Sequence, residues 1–293
     1  MKFSVLALCG LMAVPAVVSA QVSVEVLLPS GQEQFLMGET LPVSVRIKNR
    51  SGQTLKMGDT PDWLTFTVES RDGFVVIKTG DVPVEGVFEM QSSQVATTRA
   101  VDLAPYFTLP KQGRYSITAT VRIKEWSGEV HSQPKTFDVI SGARLWSQVF
   151  GVPRSGPAIS LPPEARKYTL EQVTYLRSQP RLYMRLTDAA ANKVLKVAAL
   201  GPMVSFANPV AQLDKDSRLH VLYQSGARTF SYQVFNPDGD LVVRHTYDYG
   251  DVRPRLATDS QGNIGVAGGY RRPTATDVPV ENQSADAAKP VAQ

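Results

Sequence analysis

Hydrophobic and polar residues alternate along the first half of the chain. In residues 41–47 every second residue is apolar, and residues 115–123 repeat the pattern. A period of two places the apolar side chains on one face of a β-strand and the polar ones on the other. Turn-forming stretches, such as residues 71–73, separate the runs. About seven short strands with no helical period predict an antiparallel β-sandwich over residues 21–142.

Two motifs in this region resemble immunoglobulin-like domains. The segment from Gly113 to Tyr115 resembles the tyrosine corner of these domains. The turn at Gly38, which leads into the first alternating run, resembles the second strand of bacterial extracellular immunoglobulin-like modules. The chain departs from the pattern at Ile117, where antibody domains have cysteine, and at Lys111, where the corner usually has an acidic residue. The resemblance implies an immunoglobulin-like sandwich, and such modules are mostly spacers, adhesion units or adaptors.

Proline, glycine and serine dominate residues 151–163. This composition is typical of a semi-rigid spacer, so residues 143–166 are predicted to link two domains. Residues 144–150 fit either the last strand of the first domain or the opening strand of the second.

Residues 167–272 contain weak internal repeats. Residues 181–184 align with 218–221, and Leu213-x-x-Asp216 aligns with Leu256-x-x-Asp259, which indicates a period of about 40 residues. The hairpin pattern Asp-x-x-Gly-x-hydrophobic that begins at Asp259 resembles secreted β-propeller repeats.

A closed propeller needs about 4 to 8 blades, and these repeats are too few for a ring. The alternatives are an open repeat sheet, a second small sandwich and a ring shared between subunits. The predicted fold is therefore all-β, with an N-terminal immunoglobulin-like antiparallel sandwich followed by a C-terminal repeat-like antiparallel β domain over residues 167–272.

The second half of the chain is basic. Residues 143–272 contain 17 basic residues, 13 of them arginine, against 10 acidic ones, whereas residues 21–142 contain 12 basic and 14 acidic residues. Because arginine pairs well with carboxylates and phosphates, its clusters predict a surface for an anionic partner; the alternative is an ordinary solvated face. The aromatic side chain of Tyr232 is predicted to stack on a sugar ring or, alternatively, to pack in the core. The predicted binding residues are Arg177, Arg181, Arg185, Arg253, Arg255 and Tyr232.

Both ends of the chain differ from the two domains. Lys2 precedes an apolar run that ends in the small residues Ser19 and Ala20, as in a secretory signal peptide. Cleavage is predicted after Ala20; the alternatives are an uncleaved anchor and a lipoprotein acylated at Cys9. No later stretch approaches the roughly 20 apolar residues of a membrane helix, so a periplasmic or secreted protein is expected. Residues 273–293 lack aromatic residues and periodicity, and are predicted to form a disordered tail.

The sequence contains no recognised catalytic or cofactor-binding motif. Cys9 is the one cysteine, so the chain without residues 1–20 has no thiol for a disulfide, a cysteine zinc site or a nucleophile. The three histidines are scattered, and Gly-x-Ser-x-Gly, His-Glu-x-x-His and glycine-rich phosphate loops are absent. We therefore expect no catalytic residues, no cofactor and no metal.

These features together predict a non-catalytic binding or adaptor protein of the cell envelope. Its expected partner is an envelope protein or an anionic polysaccharide, and nucleic acid is not expected because no nucleic-acid-binding motif is present. Two alternatives stay open: an assembly protein that acts through β-sheet edges, and a glycosidase-like enzyme.

Overall fold

The computed structural model describes residues 22–29, 32–126, 128–152, 164–175 and 179–278. Within these ranges the chain consists of β-strands, turns and two short 3-10 helices, with no α-helix. The all-β class predicted from the alternating pattern is therefore confirmed. The predicted signal peptide at residues 1–20 lies outside the described residues.

The first domain contains the elements that precede residue 141. Its strands are β1 (Val22–Leu27), β2 (Gln34–Leu36), β3 (Pro42–Asn49), β4 (Leu55–Met57), β5 (Leu64–Ser70), β6 (Ile77–Lys78), β7 (Phe88–Met90), β8 (Val95–Thr97), β9 (Val101–Asp102), β10 (Phe107–Thr108), β11 (Gly113–Ile123), β12 (Gly128–His131) and β13 (Lys135–Ile140). The 3-10 helices are Ala104–Tyr106 and Lys124–Trp126.

Nine of these strands form two sheets that face each other, and the other four form the short pairs β4–β7 and β6–β10. Sheet 1 consists of β1, β3, β8 and β9, and sheet 2 consists of β2, β5, β11, β12 and β13. The pairs in both sheets are antiparallel except β2 with β13, which run parallel. Apolar side chains from both sheets, such as Val45 and Ile117, are completely buried between them. The period-two pattern of the sequence therefore corresponds to the core of a sandwich.

Tyr115 holds the corner at which β11 begins. Its ring stacks on that of Phe137, with the ring centroids 5.7 Å apart. Its hydroxyl donates a hydrogen bond of 2.5 Å to the carbonyl oxygen of Lys111, four residues earlier. Gly113 has a positive φ of 153°, and a Cβ at that position would collide with the carboxylate of Asp72. The corner therefore requires both the tyrosine hydroxyl and a glycine.

The second domain contains three further sheets. Its strands are β14 (Ala143–Gly151), β15 (Ala165–Val173), β16 (Arg181–Asp188), β17 (Val194–Pro202), β18 (Val210–Leu213), β19 (Leu219–Gln224), β20 (Thr229–Phe235), β21 (Leu241–Asp248), β22 (Arg255–Thr258), β23 (Ile264–Ala267) and β24 (Tyr270–Arg272). Sheet 3 is β14-β15-β16-β17, sheet 4 is β18-β19-β20-β21-β24, and sheet 5 is the hairpin β22-β23.

Sheets 3, 4 and 5 are stacked face to face, and sheet 3 lies against the first domain. Alternate residues of β16 point in opposite directions: Met184 packs with Val221 of sheet 4, whereas Tyr183 packs with Leu36 of the first domain. The other face of sheet 4 is covered by sheet 5, where Leu256 packs against Tyr232 and its neighbours. The described molecule is therefore a series of layers: first domain, sheet 3, sheet 4, sheet 5.

Three turns of the second domain share one geometry, a fourth at Asp188 is one residue longer, and the four together are the structural repeat. They follow β16, β18, β20 and β22 and begin at Asp188, Asp214, Asn236 and Asp259. In each turn the first residue's Oδ1 accepts two backbone N–H groups. The fourth residue has a positive φ in every case: Ala191 60°, Ser217 58°, Gly239 79° and Gly262 83°.

The structure changes the predicted repeat alignment and the predicted linker. Asp214, rather than Asp216, is equivalent to Asp259. Residues 143–151 and 165–166, predicted as linker, belong to β14 and β15, which pair with each other. The reason is packing, because the ring of Phe150 stacks on Tyr168 with centroids 4.4 Å apart. Residues 144–150 are therefore the opening strand of the second domain, and residues 153–163 lie outside the described part of the chain.

The predicted disordered tail also begins too early. Asp277 is buried and accepts a hydrogen bond from Arg271, and Val278 forms a β-bridge with Arg244 of β21. Residues 273–278 are thus part of the second domain. The rest of the predicted tail, residues 279–293, lies outside the described residues.

Candidate binding cleft

Sheet 5 covers sheet 4 incompletely. Sheet 4 has five strands, whereas sheet 5 has two. On β18, alternate residues Ala211 and Leu213 pack toward sheet 3, and Val210 and Gln212 point the other way and are exposed. The part of sheet 4 nearest β18 therefore has no strand over it within the described chain.

A cleft of about 410 Å³ occupies this uncovered area. Its floor includes the buried side chains of Leu222 and Phe230. Its walls include Val210, which is 49% exposed, and Val252, which is 55% exposed. An apolar floor with exposed apolar side chains at its border is typical of an interaction site rather than of a solvated surface.

Two arginines stand at the mouth of this cleft. The guanidinium of Arg253 lies over the ring of Phe230, with its carbon 5.2 Å from the ring centroid. Arg255 begins β22 and, like Arg253, is exposed. Neither arginine has a carboxylate partner among the described residues. Both predicted residues therefore lie in one place, with positive charge available beside apolar surface.

The other predicted arginines are not part of this cleft. Arg185 is only 14% exposed and donates two hydrogen bonds to Glu171, at 3.0 and 3.1 Å, and one to the carbonyl oxygen of Met37 at 2.6 Å. The prediction of Arg185 as a binding residue is therefore corrected: its charge is neutralised between the two domains. Arg181 is exposed on the same face of β16, and Arg177 lies outside the described residues.

Arg181 belongs to a polar cluster at the contact between the domains. Glu39 of the first domain accepts hydrogen bonds from the backbone N–H of Leu36 and the side chain of Gln32. Burial raises the pKa of Glu39, and the nearby charge of Arg181 opposes this effect. The hydroxyls of Tyr175 and Tyr183 share a 2.6 Å hydrogen bond beside it. These side chains form a polar cluster between the two domains, within which Arg181 stays exposed.

Tyr232 is a core residue and not a stacking platform, which corrects its predicted role. It is 7% exposed under sheet 5, and its hydroxyl is hydrogen-bonded to His220 Nδ1 at 2.8 Å. His220 Nε2 in turn lies 3.1 Å from Asp214 Oδ2. Burial raises the pKa of Tyr232 to about 12. This Asp-His-Tyr chain connects the turn at Asp214 to the centre of sheet 4.

A second groove, of about 860 Å³, runs along β1 in the first domain. Four of its five charged side chains are paired with each other: Arg114 with Asp138 at 2.8 Å, and Lys135 with Glu33 at 2.7 Å. The fifth, Glu25, pairs with Arg46 outside the groove. The groove is larger than the cleft but offers no net charge from these pairs. The cleft beside β22 therefore has the stronger combination of apolar surface and available cations.

No group of three or more histidine, cysteine, aspartate or glutamate side chains is arranged to hold a metal ion in the described part of the chain. None of the described helices is long and apolar enough to cross a membrane.

The sequence did not predict the two valines of the cleft, although the position of Val252 could have indicated a surface role. Val252 lies between Asp251 and Arg253 in a polar turn, where an apolar side chain has no strand pattern to explain it. Val210 follows the alternation of β18, and only the stacking order of the sheets shows that its side is uncovered.

Comparison with known proteins gives little further information. No protein-family model and no curated protein matches the chain. Among solved structures, Spo0M, a sporulation control protein from Bacillus subtilis, is similar over 62% of this chain and 90% of its own, with 11% sequence identity and a TM-score of 0.30. A similarity at this level assigns neither a fold family nor a function.

Proposed function

We propose that this protein is a non-catalytic binding or adaptor protein whose second domain captures an acidic partner in the cleft beside β22. One observation carries the proposal: Arg253 and Arg255, without carboxylate partners among the described residues, border a cleft with exposed Val210 and Val252 and an apolar floor. Arginine beside apolar surface is characteristic of protein recognition sites. The partner is an acidic protein or an anionic polysaccharide of the cell envelope.

The proposal extends to the class of each domain. The first is an immunoglobulin-like module, supported by the antiparallel pair β1–β3, the parallel pair β2–β13 and the bond from Tyr115 to Lys111. The second is an open stack of propeller-like blades, supported by the face-to-face packing of sheets 3 and 4. Immunoglobulin-like modules attached to a recognition domain fit an adaptor.

The proposed site of action is the periplasm or the outside of the cell. The support is the pattern of residues 1–20, with predicted cleavage after Ala20. Cysteine-free domains are compatible with an oxidising compartment, because they have no thiol to oxidise.

The test is a pair of charge-reversal variants of the protein without residues 1–20. Arg253→Glu/Arg255→Glu changes the cleft, and Arg50→Glu/Arg99→Glu makes the same change in charge at two exposed arginines of the first domain. Binding is measured against an acidic polysaccharide panel and envelope proteins, from low to high salt. We expect the cleft variant to lose binding, the control to keep it, and wild-type binding to weaken with salt.

Equal binding by both variants would place the site elsewhere. A complex that persists at high salt and ignores both changes would instead favour the assembly protein that acts through sheet edges. That second candidate is supported by β1 and β22, each of which pairs on one side only within the described chain.

A further inference from the structure

The hairpin that forms sheet 5 has an open edge beside the cleft. β22 pairs with β23 on one side, and no described strand pairs with it on the other. The cleft lies at the start of β22, because Val252 to Arg255 line it together with Val210 and Leu222 of sheet 4. A third strand of sheet 5 on the open side of β22 would therefore run beside the cleft-lining Arg255.

The register of the hairpin shows which backbone groups point to this edge. Asp259 N–H donates to the carbonyl oxygen of Asn263, which closes the turn. Leu256 is opposite Val266, and Thr258 is opposite Ile264. In an antiparallel pair, hydrogen-bonded and non-hydrogen-bonded positions alternate, so the N–H and C=O groups of Leu256 and Thr258 face away from β23. They form a short unpaired ladder along the open edge of β22, next to the cleft-lining Arg255.

We propose that the partner is a protein and that an extended acidic segment of it adds to β22 as the third strand of sheet 5. This inference rests on the proposed function and specifies its partner and binding mode. Backbone hydrogen bonds to an exposed sheet edge supply the affinity in such complexes, and pockets for alternate side chains supply the specificity.

The surroundings of the edge determine the sequence pattern that the segment must have. Side chains on one face of the added strand point toward the apolar face of sheet 4, as that of Leu256 does, so they are apolar. Side chains on the other face lie next to Arg255, which alternates with the inward-facing Leu256. Carboxylates on that face complement the arginines. The segment therefore alternates apolar and acidic residues, as a strand with one buried face does.

An anionic polysaccharide satisfies the charge of the arginines but not the backbone ladder. It has no alternating N–H and C=O groups to offer to Leu256 and Thr258. This difference separates strand addition from a purely electrostatic contact, and the experiment uses it.

The probe is a blocked octapeptide of four Val-Glu repeats, titrated against the protein without residues 1–20. Its controls are an isomer with four valines followed by four glutamates, and two derivatives N-methylated either at every valine or at every glutamate. We expect the alternating peptide to bind at least tenfold more tightly than the block isomer. One N-methylated derivative should lose binding and the other should keep it, because only one edge of the peptide faces β22.

A change in the protein tests the same ladder from the other side. Thr258 is exposed, and proline there removes the outward N–H while the bonds to β23 stay intact. Thr258→Pro should weaken the alternating peptide about tenfold, the effect of losing one backbone hydrogen bond. Thr258→Val keeps the N–H and should bind as wild type does. Unchanged melting temperatures confirm that both variants are folded.

The outcomes separate this inference from the proposed function. Equal binding of the alternating and block peptides, or binding of both N-methylated derivatives, overturns strand addition. If no peptide binds, but a polysaccharide binds and is lost in Arg253→Glu/Arg255→Glu, the inference fails and the proposed function stands. If neither class of ligand binds, both fail.

Discussion

Arg185 connects the two domains through a single side chain. Its three hydrogen bonds reach Glu171 of its own domain and the backbone of Met37 in the other. A planar guanidinium satisfies both partners at once, which a lysine ammonium does not do with the same geometry. The residue therefore stabilises the domain contact and is not free for a ligand.

Replacing Arg185 with methionine should destabilise the protein strongly. The change leaves the carboxylate of Glu171, which is 14% exposed, without its partner. We expect the free energy of unfolding to fall by about 3 kcal/mol, because an uncompensated buried charge remains. Urea unfolding measures the effect. The matched control is Arg46→Met, which breaks an exposed pair with Glu25 and should cost less than about 1 kcal/mol; equal losses would contradict the assignment.

Predictions for single residues from the sequence were correct where they depended on one strand alone. The four-residue spacing places Arg181 and Arg185 on one face of a strand, and both do lie on the same face of β16. The first domain covers that face, and its contact residue Met37 precedes Arg185 by 148 residues. A local sequence pattern does not predict so distant a contact. For the same reason the sequence leaves both a sugar-stacking role and a core contact open for Tyr232, whose face of β20 lies under sheet 5.

At the level of elements, the four related turns define the second domain better than its strands do. Each turn uses an aspartate or asparagine oxygen to hold its backbone, and each requires a positive φ at its fourth residue. Two turns meet this requirement with Gly239 and Gly262, and the other two do so with alanine and serine. The alignment of the internal repeats therefore found the Asp-x-x-Gly turn at Asp259. It placed the start of the glycine-free turn at Asp216, two residues after its actual start at Asp214.

Alanine at the two glycines should separate backbone strain from packing. Gly262 has φ of 83° and open space around it, so Gly262→Ala should cost about 1 kcal/mol of unfolding free energy through the left-handed conformation alone. At Gly239 a Cβ would also meet Lys196 at 3.1 Å and Leu186 at 3.3 Å, so Gly239→Ala should cost more. Thermal unfolding of both variants checks the order, and a larger loss at Gly262 would refute it.

At the scale of the whole molecule, stacking buries most of the tyrosine hydroxyls of the second domain. Burial raises the pKa of six tyrosines in sheets 3 and 4 and beside them, and the pKa of Tyr232 reaches about 12. These six are Tyr168, Tyr175, Tyr183, Tyr223, Tyr232 and Tyr247. Tyr249 and Tyr270 are exposed.

The alkaline titration of these six tyrosines should therefore be coupled to unfolding. Tyrosines with folded pKa values above the ordinary 10.0 stay protonated in the native state, so their contribution to stability is complete below pH 10 and is lost as the pH rises through the raised values. Their tyrosinate absorbance should increase steeply in the pH range in which the chain unfolds. A single smooth titration near pH 10 with the fold intact would show that the hydroxyls are accessible.

The series of layers has a consequence for how the molecule opens. In the described chain, sheet 5 packs against sheet 4 alone, whereas sheet 3 is covered on both sides. When contacts are restricted to neighbouring layers, local unfolding begins at the outermost one. Amide hydrogens of β22 should exchange with solvent well before those of β16, and a strand bound along β22 would protect them. The outer hairpin would then report occupancy of the cleft while the inner layers keep the same exchange rates.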